Sequence, residues 1–158
     1  MVHVILGHSK DGHHTGTVTQ SVSINVPQNT VWREISNIAG LAGWVEGVKK
    51  TEFLSKTKRG IGASRRIFFE GGDEVIEYVT GWESGKYLSY IATEGLPLDG
   101  YHATLSITPK SKGVQLTWTS FLISRGPDRR AFEEFLGSMD SFYRNSLSTI
   151  KSKLEKTT

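Results

Sequence analysis

Hydrophobic and polar residues alternate along most of this chain, and the first clear run begins at Thr17. Val18, Gln20, Val22, Ile24 and Val26 fall on one face, while Thr17, Thr19, Ser21, Ser23 and Asn25 fall on the other. This period of two predicts a strand with one packed and one wet face, as antiparallel sheets permit. Pro27 ends the strand and suits the first position of a helix, and Val31, Ile35 and Ile38 follow at helical spacing. Gly40 and Gly43 divide this stretch into two short helical pieces, the second a turn carrying Leu41 and Trp44.

From Val48 to Ile123 no helical period intervenes. Six strand segments, about 48–56, 62–70, 73–83, 86–94, 100–109 and 113–123, are separated by turns such as Gly71-Gly72 and Glu83-Ser84-Gly85. Gaps this short predict an antiparallel meander, because parallel neighbours need long crossovers. Pro127 and Asp128 then open a last element. Phe132, Phe135, Leu136, Met139, Phe142, Tyr143, Leu147, Ile150 and Leu154 recur there at spacings of three and four, which places them in one apolar stripe. Running to Lys156, such a helix is about 40 Å long at roughly 1.5 Å per residue, enough to cross a whole domain. Residues 1–16 match no regular element well, since Gly7, Gly12 and Gly16 interrupt a weak alternation. The expected organisation is a flexible leader over 1–16 and one domain over 17–158.

Composition narrows the chemistry. The chain has 158 residues and no cysteine, which removes disulfides, thiolate metal sites and cysteine nucleophiles. No apolar run approaches the ~20 residues of a membrane span and no secretory leader is apparent, so the expectation is a cytoplasmic protein without stable membrane insertion. The formal net charge is +3, spread in short pairs such as Lys49-Lys50 and Arg129-Arg130 rather than gathered on one face. No nucleic-acid partner is expected from that distribution. His3, His8, His13 and His14 sit among glycines without helical spacing, and no metal site is expected there. No phosphate-cradling glycine loop or nucleophile elbow occurs, and no cofactor is implied.

The order of elements, with the phrases VPQNTVWREISNIAGLAGWVEGV (26–48), GIGASRRIFFEGGDEVIEYVTGWESGKYLSYIATEG (60–95) and GYHATLSITPKSKGVQLTWTSFLI (100–123), resembles the START-like or helix-grip superfamily. The resemblance is to its polyketide cyclase/dehydrase-like branch and covers about residues 17–156. It implies an α+β fold in which a curved seven-stranded antiparallel sheet wraps a long C-terminal helix, with two short helices after the first strand. It also implies a small hydrophobic or amphipathic ligand between sheet and helix. Position by position, it turns Trp44, Arg65, Ile67, Phe69, Glu77, Tyr90, Tyr101, Ala103 and Thr119 inward. Phe135, Met139 and Tyr143 of the helix face them. The loops at Gly71-Gly72 and Gly95–Gly100 would flank the cavity mouth, with Leu96 and Leu98 as a lid or tucked over the helix end.

Several positions carry alternatives. A two-residue turn at Gly71-Gly72 sets Glu77 opposite Arg66 and outward, whereas a three-residue turn at 71–73 sets it opposite Ile67 and inward. Arg65 either grips a carboxylate or phenolate, or sits at the rim with its head in solvent. Hydrophobicity turns Val114, Leu116 and Trp118 inward, while the resemblance turns Thr117, Thr119 and Phe121 inward; a bulge would reconcile the two. Three functions remain open: a small-molecule binder, an enzyme of the cyclase or dehydratase kind with Glu77 and Tyr101 as acid–base candidates, and a protein-interaction module with a collapsed cavity. Monomer and dimer are both open.

Overall fold

The computed structural model describes residues 3–8 and 12–156. Eight strands form one antiparallel sheet: β1 (His3–His8), β2 (His14–Ile24), β3 (Val48–Phe53), β4 (Ser64–Phe69), β5 (Glu74–Glu83), β6 (Tyr87–Glu94), β7 (Leu98–Pro109) and β8 (Val114–Ser124). Their order across the sheet is β1-β2-β8-β7-β6-β5-β4-β3. Helix α1 (Gln28–Ile35) and a single 3-10 turn (Leu41–Gly43) follow β2, and α2 (Arg129–Lys156) closes the chain.

The meander and the long helix stand as expected, with one correction. The sheet has eight strands rather than seven, because residues 3–8 of the N-terminal segment pair along β2 from His3↔Thr19 to His8↔His14. The weak Val4/Leu6 alternation was part of a real strand, and β2 itself starts at His14. Side chains of His3 and His8 lie outside the described residues. Among the described residues no group of three or more His, Cys, Asp or Glu side chains is placed to hold a metal ion, and no helix is long and apolar enough to cross a membrane.

Bulges at Val48/Lys50, Ile76/Glu77, Val79/Gly81 and Leu98/Gly100 interrupt the ladders, and each bends its strand. The concave face so produced receives α2. Asp128 caps that helix through Oδ1 and the Ala131 N–H, at 3.0 Å. Its apolar stripe buries Phe132, Leu136, Met139, Tyr143, Leu147, Ile150 and Leu154. Polar contacts fix its position over β2. Gln20 Nε2 donates to the buried Asp140 at 2.9 Å, and Lys151 Nζ donates to the Ser23 carbonyl at 2.6 Å. A buried carboxylate without such a donor would be costly, so the Gln20–Asp140 contact fixes register as well as proximity.

The interior divides lengthwise. At the α1 end, Val31, Ile35, Ile107, Leu116 and Ile150 are buried in a closed core. At the other end, between α2 and strands β4 to β8, the packing opens into a cavity of about 420 Å³.

Candidate functional site

The cavity wall is built mainly by strand alternation. Arg65, Ile67 and Phe69 project inward from β4, Val75 and Glu77 from β5, Tyr90 from β6, and Tyr101 and Leu105 from β7. Across the space, Phe135, Met139 and Phe142 of α2 supply the opposite wall, and Trp44 closes one side from the turn after α1. Exposed Asp73, Gly95, Pro97 and Ser138 mark the opening, with half-buried Leu96 beside them. The loop expected at the mouth from Gly95 onward does lie there, whereas Gly71 and Gly72 do not line the opening and only the adjacent Asp73 does. Gly95 is required by the rim: its φ is +98°, and a Cβ would fall 1.9 Å from the Glu74 carbonyl oxygen.

Nine of the twelve residues proposed to face the ligand line this space, and Ala103, Thr119 and Tyr143 do not. Ala103 does face inward, on the same face as its ladder partner Tyr90, and is fully buried, but it does not line the cavity. Thr119 points the other way. Pairing of β8 with β2 and with β7 is continuous around it, so no bulge reverses the alternation, and Trp118 inward forces Thr119 outward. Its hydroxyl instead meets that of Thr19 at 2.7 Å on the outer face. Phe121 is likewise outward, 45% exposed. Tyr143 is buried behind the wall and reaches the site only through its hydroxyl. Leu98 is not part of a lid, because β7 already begins there and buries it.

Glu77 faces inward, by a register neither turn option contained. The hairpin loop is Glu70-Gly71-Gly72, closed by Phe69 N–H to the Asp73 carbonyl at 2.9 Å, with Gly72 at φ +96°. A three-residue loop ending on a glycine of positive φ is a common hairpin closure. Arg65 then stands directly opposite Glu77. Its Nε and Nη2 both donate to Glu77 Oε1, at 3.0 and 2.7 Å, and Nη1 donates to the Ile38 carbonyl at 2.9 Å. The guanidinium also lies against the Tyr90 ring, 5.1 Å from its centre. At 5% and 6% exposed, Arg65 and Glu77 form a buried ion pair, which excludes the rim position for Arg65. Burial pushes the Glu77 carboxyl above the usual carboxylate range, against the pull of the Arg65 charge and hydrogen bonds.

Behind the pair runs a chain of hydroxyls. Trp118 Nε1–H donates to the Tyr90 hydroxyl at 3.0 Å, Tyr90 and Tyr101 hydroxyls lie 3.4 Å apart, and Tyr101 meets Tyr143 in a short contact. The Trp118 and Tyr143 rings stack at 4.0 Å and 9°. Burial raises all three phenols above their ordinary value, and the Glu77 charge pushes the same way. The hydroxyls thus stay protonated near neutral pH and act as donors. Trp118, Leu41, Val45, Val75 and Leu105 also line the cavity and were not among the twelve, although the alternation in VQLTWTSFLI pointed to Trp118. Phe142 was read as core stripe and proves to line the cavity.

A family model described as polyketide cyclase / dehydrase and lipid transport matches residues 15–155. No curated protein sequence matches the chain. Among solved structures, the Zhui aromatase/cyclase from a Streptomyces species superposes with a TM-score of 0.74 at 18% identity, over 90% of this chain and 95% of that one. An uncharacterised protein from Bacillus thuringiensis gives 0.73 at 18% identity, over 87% and 98%. Protein XoxI from Bacillus cereus gives 0.70 at 20% identity, over 87% and 94%.

Proposed function

The chain belongs to the polyketide cyclase / dehydrase and lipid transport family, and from that premise we propose that it binds one small, largely apolar molecule with a polar end in the cavity between sheet and α2. The observation that carries this reading is the buried Arg65–Glu77 pair set in the wall of an otherwise mostly apolar space of about 420 Å³. Ligand pockets have this character: apolar walls with a few convergent polar groups that fix orientation. A charged pair in a protein core is difficult to account for by stability alone, because apolar residues of similar volume commonly serve as well or better.

Binding is favoured over catalysis by the state of the polar groups. The tyrosines hold their protons and Glu77 already accepts two hydrogen bonds from Arg65, so no free base is paired with a free acid. The test is native mass spectrometry of freshly purified protein together with titration by naphthalene. Saturable binding of one equivalent is expected; heat-free titrations and an empty spectrum would sink the proposal.

An enzyme remains the second reading, on one observation. Glu77 has a raised carboxyl pKa beside hydroxyl donors, a pattern common at acid–base sites. It would require that Glu77→Gln abolish turnover of a carbonyl substrate while leaving its binding intact.

A further inference from the structure

We infer that the polar end of the cavity selects an uncharged hydrogen-bond donor, a hydroxyl or N–H on an apolar body, and discriminates against a carboxylate. This rests on the small-molecule reading above and specifies its ligand class.

The argument begins with what Arg65 has left to offer. Among the described residues it is the one basic side chain in the cavity lining. Arginine grips a carboxylate best by presenting two parallel N–H bonds from one edge of its fork. The Nε/Nη2 edge of Arg65 is already closed onto Glu77 Oε1, Nη1 is engaged by the Ile38 carbonyl, and one face rests on Tyr90. An incoming carboxylate therefore finds the Nε/Nη2 edge taken and a guanidinium charge that Glu77 already compensates, with one N–H left on each of Nη1 and Nη2.

Glu77 leaves the complementary vacancy. Both bonds from Arg65 converge on Oε1, and among the described residues no protein donor reaches Oε2. A carboxylate oxygen at an apolar wall gains most from a donor brought by the ligand. A ligand carboxylate would instead face Glu77 across a medium of low dielectric, with the neighbouring positive charge already compensated. A ligand cation would meet the Arg65 guanidinium beside its intended partner and would have to shed its own hydration. The neutral donor is the group that satisfies Oε2 without either penalty.

The test compares naphthalene, 2-naphthol and 2-naphthoate by calorimetric titration of the wild-type protein near neutral pH, where the second is neutral and the third ionised. The expected order is naphthol, then naphthalene, then naphthoate, with naphthol about tenfold tighter than naphthalene, the worth of one hydrogen bond to a charged acceptor. Naphthoate binding as tightly as naphthol, or naphthol binding no tighter than naphthalene, would overturn the inference while leaving the cavity reading intact. Failure of all three to bind would overturn both. Glu77→Gln adds an independent readout, since its amide can keep an oxygen on Arg65 while presenting N–H to the cavity. The naphthol advantage should vanish and naphthoate should gain about tenfold; a folded variant that keeps the wild-type order overturns the inference. If that variant does not fold, the wild-type series alone decides.

Discussion

Arg65 and Glu77 stand opposite each other on β4 and β5, and the guanidinium closes two of its N–H groups onto a single carboxylate oxygen, at 3.0 and 2.7 Å. Each residue is the reason the other is tolerated. Arg65 is held off the solvent by Ile38 and Tyr90, and Glu77 lies between inward-facing neighbours of an apolar wall. The two together make a preformed polar mark in a mostly greasy space, and truncating either should expose how that mark is held.

Glu77→Leu removes both acceptor bonds from a buried guanidinium. Breaking a buried pair from one side costs about 3–5 kcal/mol, whereas exchanging both members for apolar residues is often near neutral. Urea denaturation should therefore show Glu77→Leu strongly destabilised and the Arg65→Met/Glu77→Leu double variant restored to near wild-type stability. Equal losses in the single and double variants would mean that packing, not the pair, fixes these strands.

Stability should also carry a distinct pH signature. Because the folded carboxyl of Glu77 titrates above its unfolded value of 4.5, the folded protein binds the extra proton between those two values. Stability from this group is thus greatest at acid pH and falls as pH rises from about 4.5 through the folded value. Subtracting the unfolding free energies of Glu77→Gln from those of wild type at each pH isolates the term, since other carboxylates cancel. The difference should shift in favour of wild type as pH falls; a shift the other way would show that Arg65 outweighs burial.

The hydroxyl chain predicts an asymmetry between two Tyr→Phe changes. Tyr90 accepts from Trp118 Nε1–H, so Tyr90→Phe strands a buried donor, at about 1–3 kcal/mol. Tyr143→Phe removes one hydroxyl whose neighbour Tyr101 keeps Tyr90 within reach, at about 0.5–1.5 kcal/mol. Denaturation midpoints that rank the two variants in the opposite order would contradict the donor–acceptor sequence from Trp118 outward.

The fold was legible because its two periods are unambiguous: alternation through six segments, then a long stripe ending at Leu154. The register of β4 against β5 was not. Glycines at 71 and 72 announce a turn, but which of them takes positive φ, and whether Glu70 or Asp73 belongs to the loop, depends on how Phe69 and Asp73 pair. Thr119 shows the reverse case, where simple hydrophobicity read the strand correctly and resemblance did not. The β1 strand was missed because its alternation is short and broken by Gly7. The void itself was beyond composition, since Phe135, Met139 and Phe142 satisfy the same pattern whether they meet side chains or empty space.

That last point yields a test from two neighbouring positions on α2. Met139 lines the cavity, whereas Leu136, one turn earlier, is buried and does not line it. Extra volume forced into a packed core costs about 1–3 kcal/mol, because neighbours must leave their rotamers. Leu136→Trp should lose that much. Met139→Trp has space of about 420 Å³ before it and should change stability by less than about 1 kcal/mol. The indole would then stand where an apolar ligand must sit, so naphthalene affinity should fall about tenfold or more, as one lost apolar contact surface of ring size implies. Paired denaturation and titration of the two variants separate the cases. Equal destabilisation would mean that the space closes in solution, and a stable Met139→Trp that still binds naphthalene normally would place the ligand elsewhere.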